Sequence, residues 1–392
     1  MNPYKANIWK MYAFKFLISL HFIGGVLVPF YLEWGKISFT QIMLLQSIFA
    51  FSIFAFEIPT GAIADYLGRK TSIIFASIAL LIGPIIYTLY PSIILFIIAE
   101  IIWGASYAML SGADEALVYD SLKKTKSENK SKKIFGRIGS FEIAALTIAA
   151  PIGSIIAGTI GLRYTMLFMT VPFICATVLT FFLKEPKTER KIESKRLVRD
   201  LVDGVKYFRN HKILKSLAFD RIAISVLVFF IVWTYQPLLT QLNVPIIYFG
   251  FVGAGFMALE VFIMNNFDKL ERFFKSKKGY LLASALIPGI GFILLGLNPY
   301  VAIAVILIII IGGVGLSRPT LFRSYMNKHI ESHHRATVLS TSSMIERFSG
   351  AVLYPFIGLL VEFSLQYTLI IIGIIVIVFA LLSKVKEEHL ID

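Results

Sequence analysis

Two ionisable side chains interrupt long apolar stretches of this 392-residue chain, at positions where they could carry out chemistry. Glu100 lies within FIIAEIIWG, and His21 lies within LISLHFIGG. A charged group at the centre of a hydrocarbon layer costs about 2.5–3.5 kcal/mol on insertion scales, so its presence there favours a functional role. A carboxyl or an imidazole at that depth could take up and release a proton. The simpler alternatives are an interhelical hydrogen bond for Glu100 and a packing role for His21.

Two further acidic residues, Glu142 and Glu346, lie in apolar stretches close to Arg137 and Arg347. This arrangement favours ion pairs that hold neighbouring helices together in one state of a conformational switch and separate in the other. Proton carriage by the two carboxyl groups is the alternative.

Aromatic residues are frequent, with 34 Phe, 17 Tyr and 4 Trp. A cavity that combines aromatic rings with one or two carboxylates suits amphipathic or cationic compounds. Any single aromatic residue could equally face lipid or fill the core, and the two arginines among the candidates could form ion pairs near the inner surface. The cavity candidates are Trp103, Tyr107, Arg221, Trp233, Tyr235, Gln236 and Arg318.

Composition places these residues in an all-α membrane protein. Hydrophobic residues make up 57% of the chain and charged residues 16%, a balance that excludes an ordinary soluble domain. Apolar runs long enough to cross roughly 30 Å of hydrocarbon recur along the whole chain. We predict twelve spans, numbered 1 to 12 in chain order: 8–30, 40–60, 71–89, 93–117, 135–159, 163–183, 214–238, 246–266, 279–297, 299–320, 337–361 and 366–384.

The distribution of basic residues sets the orientation of these spans. The net charge is +14, and with both termini in the cytoplasm the inner segments hold most of the 38 Lys and Arg residues. The outer loops hold only Lys36 and Arg163. Because cytoplasmic loops of membrane proteins are enriched in Lys and Arg, the basic charge reflects topology and does not indicate nucleic-acid binding. The single cysteine, Cys175, excludes an intramolecular disulfide.

The chain repeats itself at an offset of about 203 residues, which predicts two related six-span bundles. The expected boundaries are 1–183 for the first bundle, 184–213 for a cytoplasmic linker and 214–392 for the second bundle. Apolar and basic residues alternate at helical spacing in 197–209, so we expect an amphipathic helix on the inner membrane surface. The matched pairs are Glu57 with Glu260, Asp65 with Asp268, Gly112 with Gly315, and Ser121 with Ser324; with one more residue of offset, Glu142 matches Glu346.

The most polar turn of the first half, GAIADYLGRK (61–70), lies between spans 2 and 3. Its pattern, with Gly61, Asp65, Gly68, Arg69 and Lys70 in register, resembles the signature loop of the major facilitator superfamily. The resemblance covers the whole chain in span number, loop lengths and the long central loop. Within that superfamily the chain resembles most the proton-driven drug-efflux branch. A basic turn without any switching role is the simpler alternative.

The resemblance implies a latch on the inner side. Asp65 would face the N-terminus of span 11 across the boundary between the halves, and Arg69 would pair with a carboxylate at the inner end of span 4. Asp120 is the first choice for that partner, with Asp114 as another candidate. Asp268 would be the degenerate counterpart of Asp65 in the second half. The resemblance also implies that spans 1 and 4, which carry His21 and Glu100, line the central cavity.

The expected function is therefore secondary active transport by alternating access in the plasma or inner membrane, with proton-coupled export of small amphipathic organic compounds. We expect a monomer whose partners are a small-molecule substrate, protons and the lipid bilayer, with no enzymatic activity, cofactor or metal. No G-x4-G-K-[ST] motif is present, which excludes the P-loop type of ATP site. The alternatives are a nutrient or metabolite symporter or uniporter of the same fold, a lipid flippase and a non-transporting sensor.

Overall fold

The computed structural model describes residues 3–186, 197–297, 300–331 and 334–390; within these ranges the side chains of Pro3, Ile58, Ala62, Asp65, Ala336 and residues 197–202 are outside the description. Every described element is helical. The first half begins with α1 and continues through α8. Its helices are α1 (Pro3–Ile18), α2 (Phe39–Leu67), α3 (Arg69–Leu89), α4 (Ile93–Leu110), α5 (Ala113–Lys124), α6 (Ser131–Thr159), α7 (Leu162–Phe168) and α8 (Thr170–Phe181).

The second half begins with the linker helix. Short helical turns join several of the longer helices in both halves; they cover Phe22–Val26, Leu27–Pro29, Phe30–Trp34, Glu128–Lys130, Ile246–Tyr248 and Glu387–His389. The helices of the second half are α9 (Leu197–Asn210), α10 (Lys212–Phe229), α11 (Ile231–Gln241), α12 (Phe249–Met264), α13 (Phe267–Phe273), α14 (Lys277–Gly296), α15 (Val301–Lys328), α16 (Arg335–Phe363) and α17 (Leu365–Leu381).

Long apolar helices dominate the chain. Within the described ranges, eleven helical segments are long and apolar enough to cross a membrane. The predicted twelfth span corresponds to α17 (Leu365–Leu381), an apolar helix of 17 residues. The all-helical membrane class is therefore as predicted, while the arrangement in two sets of six spans and the cytoplasmic position of both termini remain predictions.

The first span differs from its prediction as one unbroken helix over 8–30. It extends from Tyr4 to Trp34 and is interrupted after Ile18, where the chain continues as three short helical turns. The interruption lies against α6, where Gly153 leaves room for the backbone of Phe22. A Cβ atom on Gly153 would lie 1.6 Å from the Phe22 carbonyl oxygen, so only glycine allows this approach.

The chain forms two compact units. The first comprises residues 1–197 together with 246–250, and the second comprises 198–245 and 251–392. The linker helix α9 packs on the second unit: Phe208 lies in the same apolar cluster as Leu217 and Phe322. Gly204 approaches Thr341 so closely that a Cβ atom would lie 2.0 Å from its hydroxyl oxygen. The apolar side of this helix, expected on the membrane surface, therefore packs against protein at these positions.

Candidate functional site

Glu100 is the centre of a buried polar cluster in the first unit. It lies on α4, is 3% exposed and accepts hydrogen bonds through Oε1. The hydroxyl of Tyr31 lies 3.0 Å from this oxygen, and Nε2 of Gln46 lies 3.4 Å from it. The Tyr31 hydroxyl is also 3.0 Å from the hydroxyl of Tyr87. Since a hydroxyl group has one proton, Tyr31 accepts from Tyr87 when it donates to Glu100.

Neutral groups surround this carboxyl. Among the described residues, no Lys, Arg or His side chain forms an ion pair with Glu100. The rings of Tyr31, Tyr87 and Phe96 enclose it, with the Tyr87 and Phe96 centroids 5.2 Å apart. A buried carboxylate is costly unless it is hydrogen-bonded or paired, and hydrogen bonds from neutral donors satisfy it without neutralising its charge. The site can therefore hold either the charged or the protonated form.

The interruption of the first span positions this cluster. Tyr31 lies on the helical turn Phe30–Trp34, beyond the break, while Gln46 and Tyr87 come from α2 and α3. Sequence reasoning missed Tyr31, Gln46 and Tyr87, because their meeting depends on the break in the first span. The only available signal was that each is a polar residue inside an apolar run.

His21 lies at the break itself. Its Nε2 is 2.9 Å from the Ile18 carbonyl oxygen at the end of α1. Its ring is between Trp103 and Phe173, at centroid distances of 6.4 and 5.9 Å. These contacts fit the packing alternative, in which the imidazole satisfies a carbonyl group that the interrupted helix leaves without an intrahelical partner.

The aromatic cavity candidates of α4 make packing contacts. The indole of Trp103 donates to the Leu80 carbonyl over 3.1 Å and fills the space above Gly83, where a Cβ atom would lie 1.9 Å from it. Tyr107 packs edge-on against Phe49. These contacts join α4 to α3 and α2.

A second cluster of the first unit joins three helices through one lysine. Nζ of Lys15 on α1 lies 2.7 Å from Oδ2 of Asp114 on α5 and 2.9 Å from Oε1 of Glu142 on α6. The sequence places Glu142 near Arg137 on the same helix, whereas the cation that contacts it in the structure is Lys15 on α1. A side chain on another helix reaches the carboxylate because α1 packs alongside α5 and α6.

The GAIADYLGRK turn places Arg69 against an acidic partner. Arg69 forms an ion pair with Asp120 on α5, the residue named first from the sequence. Nη1 of Arg69 also donates to the Ala116 carbonyl over 2.9 Å. Gly68 joins α2 to α3 with a φ of 103°, a conformation that favours glycine. The side chain of Asp65 lies outside the described residues, so its expected contact remains a prediction.

A carboxylate from beyond α8 completes this turn. Glu185 accepts hydrogen bonds from the backbone N–H groups of Arg69 and Lys70, at 3.1 and 2.6 Å. These groups open α3 and have no intrahelical partner. The Lys70 amine donates to the Phe181 carbonyl at the end of α8 over 2.8 Å. Gly61 lies within α2, which continues to Leu67.

The corresponding stretch of the second unit, around Asp268, differs from this turn. Asp268, the expected counterpart of Asp65, lies in the first turn of α13 with an exposed side chain, and its carbonyl accepts from Nε of Arg272. A different carboxylate caps the next helix: Glu387 accepts from the backbone N–H groups of Lys277 and Lys278 at 2.9 and 2.8 Å.

Two buried ion pairs hold α10 in the second unit. Oδ1 of Asp220 lies 2.9 Å from Nη2 of Arg318 on α15, and Oε2 of Glu346 on α16 lies 2.5 Å from Nη2 of Arg221. Arg318 is 1% exposed and also donates to the Leu281 carbonyl over 2.7 Å. The predicted neighbour of Glu346, Arg347, is not its partner; the guanidinium comes from α10 instead.

Each of the two ion pairs borders a cavity in the described part of the second unit. One, of about 300 Å³, is lined by α10, α15 and α16 and includes Arg221 and Glu346. The other, of about 180 Å³, includes Asp220 and Arg318. The remaining candidates, Trp233, Tyr235 and Gln236, are buried on α11, and Gln236 donates to the Tyr235 hydroxyl over 3.0 Å. Among the described residues, no group of three or more His, Cys, Asp or Glu side chains could hold a metal ion.

Comparison with known proteins gives consistent matches over the whole length. The family model described as Major Facilitator Superfamily matches residues 12–354. An uncharacterized MFS-type transporter of Methanocaldococcus jannaschii is 22% identical, with 96% of this chain and 98% of that protein covered. The uncharacterized MFS-type transporter YxaM of Bacillus subtilis is also 22% identical, with 97% and 96% covered.

Solved structures share the fold. The nucleoside transporter NupG superposes with a TM-score of 0.80 at 14% identity, over 98% of this chain and 100% of that one. A D-xylose-proton symporter superposes with a TM-score of 0.70 at 14% identity, over 97% of both chains. At this identity, the similarity is one of fold alone.

Proposed function

The chain belongs to the major facilitator superfamily, and on that premise we propose that it is a proton-coupled secondary transporter of small organic solutes that works by alternating access. Two related bundles of six spans with cytoplasmic termini, in the plasma or inner membrane, would expose a shared site to one side at a time. The expected resemblance to the superfamily is confirmed, and its drug-efflux branch remains a prediction.

The observation that carries the proposal is the environment of Glu100. Its carboxyl is buried in a membrane-spanning helix and bonded only to neutral donors among the described residues. An ionisable group in that position is costly and indicates a path for protons or substrate. The hydroxyl groups of Tyr31 and Tyr87 give the carboxyl a short chain of proton donors and acceptors.

The direction of transport has two candidates. Uptake by symport with protons is supported by the name of one structural neighbour, a D-xylose-proton symporter. Export against protons is supported by the small residues of α6, where Gly153 packs against the first span. We propose uptake as the first candidate, and the sign of proton movement distinguishes the two.

The test uses purified full-length protein in proteoliposomes that enclose a pH-sensitive dye. A gradient of uridine, D-xylose, a hydrophobic cation or benzoate is applied, and protein-dependent proton movement is recorded. Protons that follow the solute indicate symport, and protons that move against it indicate antiport. A proton response to none of these gradients would contradict the proposal.

Glu100→Gln tests the coupling residue. We expect solute exchange across the membrane to persist and proton movement to disappear, because glutamine keeps the hydrogen-bonding shape without a titratable group. Glu33→Gln is the matched control, since Glu33 lies on the same helical turn as Tyr31 but is exposed. Proton movement that survives Glu100→Gln would exclude this carboxyl as the coupling group.

Asp65 has a separate test. We propose that it acts on the equilibrium between the two states, without touching the solute. Asp65→Asn should slow transport, while the affinity for the solute stays within about twofold of that of the unaltered chain. The reason is that the variant changes the exchange between the two conformational states and leaves the solute-binding site intact. Lost binding with a normal exchange rate would contradict this role.

A further inference from the structure

The cavity beside Arg221 and Glu346 is lined by two residues whose buried polar groups form no hydrogen bond with the described residues. It has a volume of about 300 Å³, which is at the lower end for a site that encloses a small ligand. Its walls come from α10, α15 and α16 and combine polar with apolar side chains. The six that matter here are Arg221, Ser225, Phe229, Glu346, Arg347 and Tyr354.

Arg221 supplies the first unpartnered donor. It is 3% exposed, and its two terminal nitrogens bond to Ser342 at 3.3 Å and to Glu346 at 2.5 Å. Its Nε is buried and has no hydrogen-bond partner in the described part of the chain. A buried donor without a partner costs about 1–3 kcal/mol, so a polar group from a ligand at this position would be stabilising.

Ser225 supplies the second. It follows Arg221 by one helical turn, is 5% exposed and lines the same cavity. Its hydroxyl is also buried, and no described residue hydrogen-bonds to it. Two neighbouring residues that line one cavity therefore each have a buried polar group with unused hydrogen-bonding capacity. Native proteins leave few such groups without a partner, which points to an occupant.

The charges of the side chains that line the cavity indicate the charge of the ligand that it would bind. Arg221 and Arg347 carry two positive charges, and Glu346 carries one negative charge. Glu346 is bonded to Arg221, while Arg347 forms no ion pair with a described residue. The residues that line the cavity thus carry one positive charge in excess, and the Arg347 side chain that carries it is partly exposed. An anion would neutralise this charge, whereas a cation would add to it.

The aromatic side chains that line the cavity indicate what the uncharged part of the ligand would be. Phe229 and Tyr354 are aromatic and adjoin the charged groups in the same cavity. Planar bidentate pairing with guanidinium groups favours a carboxylate, and the aromatic walls favour an apolar or aromatic body.

We propose that this cavity is the site of a small organic monoanion, in which a carboxylate lies against Arg221, Ser225 and Arg347 and an apolar body lies against Phe229 and Tyr354. The proposal names the substrate class and rests on the transport function proposed above. It replaces the expectation of a cationic substrate, which came from Glu100 and the aromatic residues, with an anionic one.

The binding test needs no transport. The melting temperature of the purified full-length protein is measured against benzoate, benzyl alcohol and benzylammonium, which share one aromatic body and differ in charge. We expect benzoate alone to raise it, in a saturable way, because a ligand that binds the folded state stabilises it by mass action. No shift with benzoate, or an equal shift with benzyl alcohol or benzylammonium, would overturn the proposal.

Variants locate the binding. Ser225→Ala breaks no hydrogen bond with a described residue and should weaken benzoate binding about fivefold. Arg347→Gln should weaken it at least tenfold, since hydrogen bonds to charged groups are the stronger ones. Arg335→Gln, on the same helix but outside the cavity lining, is the matched control and should bind as the unaltered chain does. Benzoate affinity that is the same in all three variants would overturn the site.

Arg221 needs a charge-balanced variant, because its loss alone would leave Glu346 without its partner. In Arg221→Gln with Glu346→Gln, the net charge of the cavity is unchanged, and we expect benzoate binding to be lost because the buried guanidinium is gone. Retained binding in this double variant would overturn the assignment of Arg221.

The two proposals fail differently. If benzoate binds at these residues but drives no proton movement in proteoliposomes, benzoate transport is contradicted and the anion site stands. If another solute is transported with protons while benzoate stabilises no form of the protein, the transport function stands and the anion site is overturned.

Discussion

In each unit, ion pairs join three helices that correspond in the predicted repeat, but the charges of the paired residues differ. In the first unit, Lys15 on α1 contacts Asp114 and Glu142. In the second, two neighbouring residues of α10 make the corresponding contacts, since Asp220 pairs with Arg318 and Arg221 pairs with Glu346. The offset between Asp114 and Arg318 equals the offset between Glu142 and Glu346. At the first of these two matched positions, the acidic residue of the first unit is replaced by a basic residue in the second.

This difference indicates that the two units keep ion-pair contacts between corresponding helices, while the residue types that form these contacts change. A reversed charge at one position is tolerated when the facing helix supplies the opposite charge, because the attraction between two charges depends on their product. The second unit needs two residues of opposite sign where the first needs one lysine. That arrangement also places Arg221 at the wall of a cavity, and its Nε donates to no described residue.

The helix-capping glutamates show the same principle. Glu185 and Glu387 each follow the last long helix of their half and accept two backbone N–H groups at the start of α3 and α14. A carboxylate at this end of a helix satisfies free N–H groups and interacts favourably with the helix dipole. The turn beside it differs, since Gly68 has a φ of 103° and Lys275 one of 58°.

The largest effect should come from the deepest ion pair. Asp220→Asn removes the partner of Arg318, whose side chain is 1% exposed, and should lower the free energy of unfolding by about 3–5 kcal/mol. Unfolding in mixed micelles measures it. Glu388→Gln is the control, because its pair with Lys386 is exposed and should contribute nothing measurable. Equal effects of the two variants would contradict the prediction.

The three-residue cluster of the first unit should come next. Lys15→Met leaves Asp114 and Glu142 facing each other without a cation, and we expect a loss of about 2–3 kcal/mol in the same unfolding measurement. Adding Glu142→Gln should recover part of it, since one of the two uncompensated charges is then gone. Lys5→Met, on an exposed position of α1, is the control. A double variant no more stable than Lys15→Met would contradict the conclusion that Lys15 compensates the charges of Asp114 and Glu142.

The two turns should respond with opposite signs. Gly68→Ala forces a side chain into a conformation that favours glycine and should cost about 1–3 kcal/mol. Lys275→Gly relieves a left-handed backbone conformation and should stabilise the protein or leave it unchanged. Melting temperatures of both variants decide this. A loss of stability with Lys275→Gly would show that the lysine side chain contributes more than its backbone conformation costs.

The smallest effects should come from the capping glutamates. Glu185→Ala should cost about 1 kcal/mol, as a lost helix cap does, and Glu387→Ala should cost less, because its hydrogen bonds are exposed. Hydrogen exchange of the first amides of α3 and α14 locates the change. Faster exchange elsewhere in the helices, with these amides unaffected, would contradict the capping role.

The sequence predicted the spans well and the contacts between them less well. Apolar runs predicted the helices because a spanning segment must satisfy its own backbone hydrogen bonds and present apolar side chains. Arg69 with Asp120 was predicted from the family resemblance. Arg137 and Arg347 were named as neighbours because they are near in the chain, whereas residues on other helices hold Glu142 and Glu346.

By itself, the sequence determined the membrane class and the superfamily, since each depends on composition or on local pattern, and it predicts twelve spans and an internal repeat. Only the tertiary structure decided where the first span breaks, that Tyr31 reaches Glu100, and that Arg221 and Ser225 line one cavity. The physical reason is that these features depend on the distance between helices, as at Gly153 and Phe22, and that distance is fixed by packing between segments far apart in the chain.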